Sequence, residues 1–140
     1  MTISIDSNVI AALWNPADRL NAEAGRMLGW ARLQGMLVLA GPAYSELRAG
    51  PLREEAALDR FLEETGITVD WIFDEKVWRE AGAAYRGYVH RRQKSGGGPA
   101  RRILTDFLIG AHALARGYSL LTFDCEHYQA AFPALQLIQA

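Results

Sequence analysis

ISIDSNVI, residues 3–10, sets the polar cluster Asp6-Ser7-Asn8 between apolar side chains. Ile3, Ile5, Val9 and Ile10, with Leu13 beyond them, call for burial, yet Asp6, Ser7 and Asn8 stand in their midst. Ile3-Ser4-Ile5 reads as the end of a strand, and the chain from Val9-Ile10 onward reads as a helix. A carboxylate between the two falls at the carboxyl end of a strand, where open α/β sheets form their clefts. Burying it alone is costly unless a cation or hydrogen-bond donors compensate it. The stretch therefore points to an α/β architecture and to a charged site within it.

Outward from Asp6, strands and helices alternate. MLVLA (36–40) is a short continuous apolar run, as expected of a strand covered on both faces, and ITVDW (67–71), YSLLT (118–122) and LQLIQ (135–139) read as further strands. Between the first two lies an amphipathic stretch from Asn15-Pro16 to Gly35, in which Pro16 suits a first helical turn. GPAYSELRAG (41–50) reads as a short helix, with Gly50-Pro51 as a stop and restart. A second helix then carries Leu52, Ala56, Phe61 and Leu62 on one face and ends at Gly66. Residues 74–92 form a long helix in which Val77, Trp78, Ala81, Tyr85 and Tyr88 recur at helical spacing. ILTDFLIGAHALARG (103–117) is the most apolar helix, ended by Gly117. This alternation predicts a largely parallel sheet between helices.

A chain of 140 residues, half of them hydrophobic, is expected to form one domain over residues 1–140 with a core that needs no staples. The single cysteine, Cys125, excludes an intrachain disulfide. No apolar stretch approaches the length of a membrane span, and no signal peptide is evident, so a cytoplasmic protein is expected. Net charge is only −1, but Arg86, Arg91, Arg92, Lys94, Arg101 and Arg102 follow one another with no acid before Asp106. Such a stretch is either a solvated surface or a contact for nucleic-acid phosphates.

Most of the 16 carboxylates share helices with basic residues or, like Asp74 and Glu75, suit a helix N-terminus. Asp6, Glu46, Asp106 and Asp124 stand apart in apolar surroundings. Asp6 and Asp124 directly follow strands, and Glu46 lies one short helical segment beyond another. In a parallel sheet those ends share one side, so the acids can converge. Bland alternatives exist: Asp106 as a helix cap, Asp124 as a turn residue, Glu46 as an exposed acid. Convergence without a cation is strongly repulsive. A hard divalent ion, Mg²⁺ or Mn²⁺, resolves that conflict, whereas His90, His112, His127 and Cys125 show no zinc spacing. Such an ion can activate water for phosphodiester cleavage.

At these residues the sequence resembles the PIN-domain nucleases, most closely the VapC-like toxins of toxin–antitoxin pairs. The pieces are IDSNVI, GPAYSELRAG around Glu46, RRILTDFLIGAHALARG around Asp106 and LLTFDCEHY around Asp124. The resemblance implies a three-layer α/β sandwich and a metal-dependent endoribonuclease silenced by a cognate antitoxin and expected to dimerise. It implies Asp6 and Asp106 as principal metal ligands. Glu46 and Asp124 would complete the catalytic quartet, with Asp124 reaching a metal or orienting water. Asn8 and Thr122 match supporting polar positions. His127 and Cys125 are expected to pack rather than ligate.

SGGGPARR (95–102) lacks the lysine and hydroxyl of a P-loop and reads as a basic loop beside the cleft. A non-catalytic PIN-like module that binds RNA or protein is the alternative function. Trp14, Trp30, Trp71 and Trp78 are expected in the core, or else at a partner surface.

Overall fold

The computed structural model describes residues 1–50, 54–98 and 101–139. Pro51 and Leu52, assigned above to a helix restart, lie outside them, as does Pro99 of the basic loop. Strands β1 (Thr2–Ile5), β2 (Met36–Ala40), β3 (Ile67–Asp70), β4 (Ser119–Thr122) and β5 (Leu137–Gln139) form one sheet in the order β3-β2-β1-β4-β5. Every pairing is parallel, with Ile3 opposite Leu37 on one side and Ser119 on the other. Helices α1 (Ser7–Trp14), α2 (Asn21–Gln34), α3 (Gly41–Ala49), α4 (Glu55–Thr65), α5 (Glu75–Lys94), α6 (Leu104–Arg116) and α7 (Cys125–Ala131) flank it. Successive strand side chains point to opposite faces. Leu120 and Leu121 are nonetheless both fully buried, as are Ile3, Ser4 and Ile5, so the central strands are covered on both sides. This is the expected α/β sandwich.

The connections position the site. From β1 the chain steps outward to β2 and β3, then returns across the sheet to β4 and β5. The order reverses between β1 and β4, which opens a crevice at their carboxyl ends. Asp6 and Asp124 follow those two strands.

One expected helix starts later than its sequence implies. The stretch from Asn15 to Gly35 does not begin helical at Pro16, because α1 ends at Trp14 and α2 starts at Asn21. Side chains compete for the backbone between them. Asn15 Oδ1 accepts from the Ala17 N–H at 3.1 Å and Asp18 Oδ1 from the Leu20 N–H at 2.8 Å. Asn21 Nδ2 then donates to the Ala12 and Leu13 carbonyls, both at 2.9 Å, closing the end of α1. Gly66 and Gly117 end their helices as expected, each at φ 72°, a left-handed conformation that favours glycine. The tryptophans depart from core packing: Trp14 stacks edge-on to Phe61, but Trp71 and Trp78 are 65% and 52% exposed. No helix among the described residues is long and apolar enough to cross a membrane.

Helix α6 is the central buried helix, with Phe107, Ile109, Gly110, Ala111 and Ala113 inside. At Gly110 a Cβ would clash with the Cε2–Cδ2 edge of the buried Phe132 ring. Gly110→Ala should therefore lower stability by about 1–2 kcal/mol, the ring clash outweighing the gain in helix propensity. Urea unfolding checks this through a lower midpoint at unchanged slope.

Candidate active site

Asp6 occupies the N-cap position of α1, yet its carboxylate makes no capping bond. Asp74, by contrast, caps α5 by accepting from the Val77 N–H at 3.2 Å. The Asp6 side chain is 3% exposed and is engaged elsewhere. Thr122 Oγ1 donates to its Oδ2 at 2.7 Å, and Ser7 Oγ lies 3.4 Å from its Oδ1. Burial pushes the Asp6 carboxyl up to about 6; the Thr122 hydroxyl opposes that rise, and the Asp106 and Glu46 charges add to it.

The other acids gather around it. Ser7 Oγ donates to Glu46 Oε1 at 2.9 Å, so α3 and the start of α1 share one hydroxyl. Asp106 sits in the first turn of α6 behind the N-cap Ile103, and so does not act as a cap. Burial raises the carboxyls of both Glu46 and Asp106 above the usual range, and the Asp106 charge raises Glu46 further. Asn8 ties β4 to α1: its Nδ2 donates to Thr122 Oγ1 at 3.3 Å and its Oδ1 accepts from the Phe123 N–H at 3.4 Å. Thr122 Oγ1 also accepts from the Asp124 N–H at 3.0 Å. The Asp124 carboxylate pairs with Arg102, whose Nη1 also stands 3.8 Å from Asp106 Oδ2.

Beside these acids lies a cleft of about 580 Å³ lined by Arg91, Arg92, Arg101, Arg102, Tyr88 and His127, with the acids Asp124 and Glu126 in the same lining. Tyr88 Oη accepts from the Arg101 and Arg102 N–H groups at 2.9 and 3.1 Å, which pins the basic loop to α5. Arg86 and Lys94 do not line this cleft. His127 packs among Phe107, Tyr88 and Tyr128, and burial together with the Arg102 charge holds its imidazole below its ordinary value.

A family model described as the PIN domain matches residues 3–133. The chain belongs to the PIN-domain family. No curated protein matches its sequence. Its fold is similar to that of a chain in VapBC2 of Rickettsia felis bound to a DNA fragment from their promoter. There the TM-score is 0.70 at 18% identity, covering 99% of this chain and 98% of that one. FitAcB of Neisseria gonorrhoeae gives a TM-score of 0.65 at 23% identity, covering 98% and 96%. VapBC-1 of nontypeable Haemophilus influenzae gives 0.65 at 21%, covering 99% and 98%.

In this PIN domain Asp6, Glu46 and Asp106 lie near enough for their charges to act on one another, and Asp106 and Asp124 share Arg102. The donor set fits a hard divalent cation, because Asp6 is a carboxylate whose proton affinity is raised first by burial and then by the Asp106 and Glu46 charges, a cost that such an ion relieves. Among the described residues, however, no three Asp, Glu, His or Cys side chains form a ready cage for one ion. Asp124, assigned above to the ligands, is turned to Arg102, and Arg102, assigned to RNA, is turned to the acids. Mg²⁺ commonly takes only one or two carboxylates and completes its shell with water and phosphate oxygens.

Three residues escaped the sequence reading. Ser7 bridges two acids, Tyr88 anchors the basic loop, and Tyr128 buries a hydroxyl beside Asp6 that finds no hydrogen-bond partner of good geometry. Ser7 lay within the quoted run, and its adjacency to Asp6 was the available signal. The two tyrosines carry no local mark, since both sit at ordinary apolar helix positions.

Proposed function

We propose that this PIN domain is a divalent-metal-dependent endoribonuclease and the toxin of a toxin–antitoxin pair. The observation that carries this reading is the buried Asp6 carboxylate, which shares a crevice with Asp106 and Glu46 and stands next to a cleft rich in arginine. A bound Mg²⁺ or Mn²⁺ supplies an activated water and neutralises charge on the phosphoryl oxygens. Asp6 and Asp106 would hold the ion, and the Thr122 hydroxyl fixes the Asp6 carboxylate in one orientation. Glu46 keeps Oε1 on Ser7 and uses Oε2 to orient the attacking water and take its proton, a task suited to a carboxyl raised by burial. Asp124 holds Arg102 beside the cleft in the metal-free protein, while Arg91 and Arg101 would hold neighbouring phosphates. Similarity of fold to chains of VapBC complexes supports an antitoxin partner, and exposed Trp71, Ile72 and Trp78 offer an apolar surface for a protein contact, with a second copy as one occupant. The protein is read as a single cytoplasmic domain.

Phosphate contact has its own signature. Arg91→Gln with Arg101→Gln should weaken binding of catalytically silenced protein to single-stranded RNA and flatten its dependence on log salt by about 1.4. The function is tested by controlled expression in bacteria beside Asp106→Asn, with transcriptome-wide mapping of new RNA ends. Growth arrest with discrete new ends from the parent alone supports it. Identical behaviour of both, without new ends, favours the binding module.

A further inference from the structure

Arg102 lies on the seam between two features of opposite charge. Its guanidinium pairs with Asp124 and approaches Asp106, and the same side chain lines the basic cleft beside Arg91 and Arg101. Asp6 has Thr122 as donor and Glu46 has Ser7. For the side chains of Asp106 and Asp124, Arg102 is the one partner among the described residues. Its backbone N–H is fixed on Tyr88, while the side chain is 37% exposed and keeps a long flexible stem.

We propose that Arg102 is a built-in substitute cation, which holds Asp106 and Asp124 in the metal-free protein, yields them to a divalent ion and swings onto the RNA phosphodiester. This rests on the reading of the crevice as a metal-dependent nuclease centre. Guanidinium and divalent ion are both positive and compete for the same carboxylate oxygens, so each weakens the other's hold. A phosphate entering the cleft changes the balance. It offers the planar guanidinium a bidentate partner as good as a carboxylate, and it gives the ion oxygens for its remaining shell. RNA and metal therefore bind with positive coupling through one side chain, and the coupling is reciprocal. A merely structural ion pair has the opposite consequence: it organises the acids, so its loss weakens metal binding.

The test is Mn²⁺ affinity of the purified full chain, read by electron paramagnetic resonance for the parent, Arg102→Gln, Arg102→Lys and Asp106→Asn. Each is measured with and without a randomised single-stranded 2′-O-methyl oligonucleotide. Expected without oligonucleotide is binding about tenfold tighter in Arg102→Gln than in the parent, with Arg102→Lys near the parent and Asp106→Asn abolishing it. The oligonucleotide should tighten Mn²⁺ binding by the parent about fivefold or more and leave Arg102→Gln unchanged. Equal or weaker Mn²⁺ binding by Arg102→Gln, with the loss in Asp106→Asn intact, overturns the proposal and leaves the nuclease reading standing. Equal tightening by the oligonucleotide in both proteins overturns the swing. Absence of Mn²⁺ binding in every protein overturns the nuclease reading and this proposal together.

Discussion

Asp6→Asn is expected to cut RNA cleavage by about 100-fold or more while making the metal-free protein more stable. The two effects share one cause. In the fold Asp6 holds its proton up to about pH 6, against an ordinary value of 3.8, because burial and the neighbouring acids disfavour its charge. Between those values the native state binds more protons at Asp6 than the unfolded chain does, so the contribution of this group to stability is greatest below about pH 4 and is lost as pH rises through 6. The full difference is worth about 3 kcal/mol at neutral pH. Asparagine has no charge to desolvate, and its Oδ1 still accepts from Thr122. Urea midpoints in chelator should show the variant ahead at pH 7.5 and level with the parent near pH 4. A difference constant with pH contradicts the assignment. Added Mg²⁺ should raise the parent alone, since a ligand stabilises only the state that binds it.

Thr122→Val is expected to lower cleavage by about 10–100-fold, though no acid is touched. The hydroxyl has one proton and two acceptor sites, and all are used: it donates to Asp6 and accepts from the Asp124 N–H and Asn8 Nδ2. Valine keeps the shape and removes all three bonds. Asp6 then loses its shortest donor and holds its proton to higher pH, so the rising limb of the pH–rate profile should move upward. Thr122→Ser retains the hydroxyl and should recover most of the activity. Parent-like rates and pH profile in Thr122→Val contradict this role.

What the sequence disclosed follows from the reach of each signal. Asp6 was legible because a carboxylate between Ile5 and Val9 has no cheap explanation, and the parallel sheet was legible because strands buried on both faces read as continuous apolar runs. Gly66 and Gly117 marked helix ends through their backbone freedom. The break at Pro16 was missed because Asn15, Asp18 and Asn21 act through side-chain bonds to a backbone that composition alone leaves helical. Arg102 was read with its basic neighbours, since its pairing with Asp124 spans 22 positions of chain. Exposed Trp71 and Trp78 sit at positions where periodicity implies burial, and only the packing around Phe73 and Tyr44 shows which side of the ring meets solvent.

The most direct measurement is cleavage of total bacterial RNA by purified protein in Mg²⁺, in Mn²⁺ and in chelator, with Asp106→Asn prepared in parallel and RNA ends mapped by sequencing. A metal-dependent nuclease makes discrete new ends with either ion, none in chelator, and none from Asp106→Asn. Ends that persist in chelator, or that Asp106→Asn produces equally, place the chemistry outside the acidic crevice and contradict the nuclease reading of Asp6 and its neighbours.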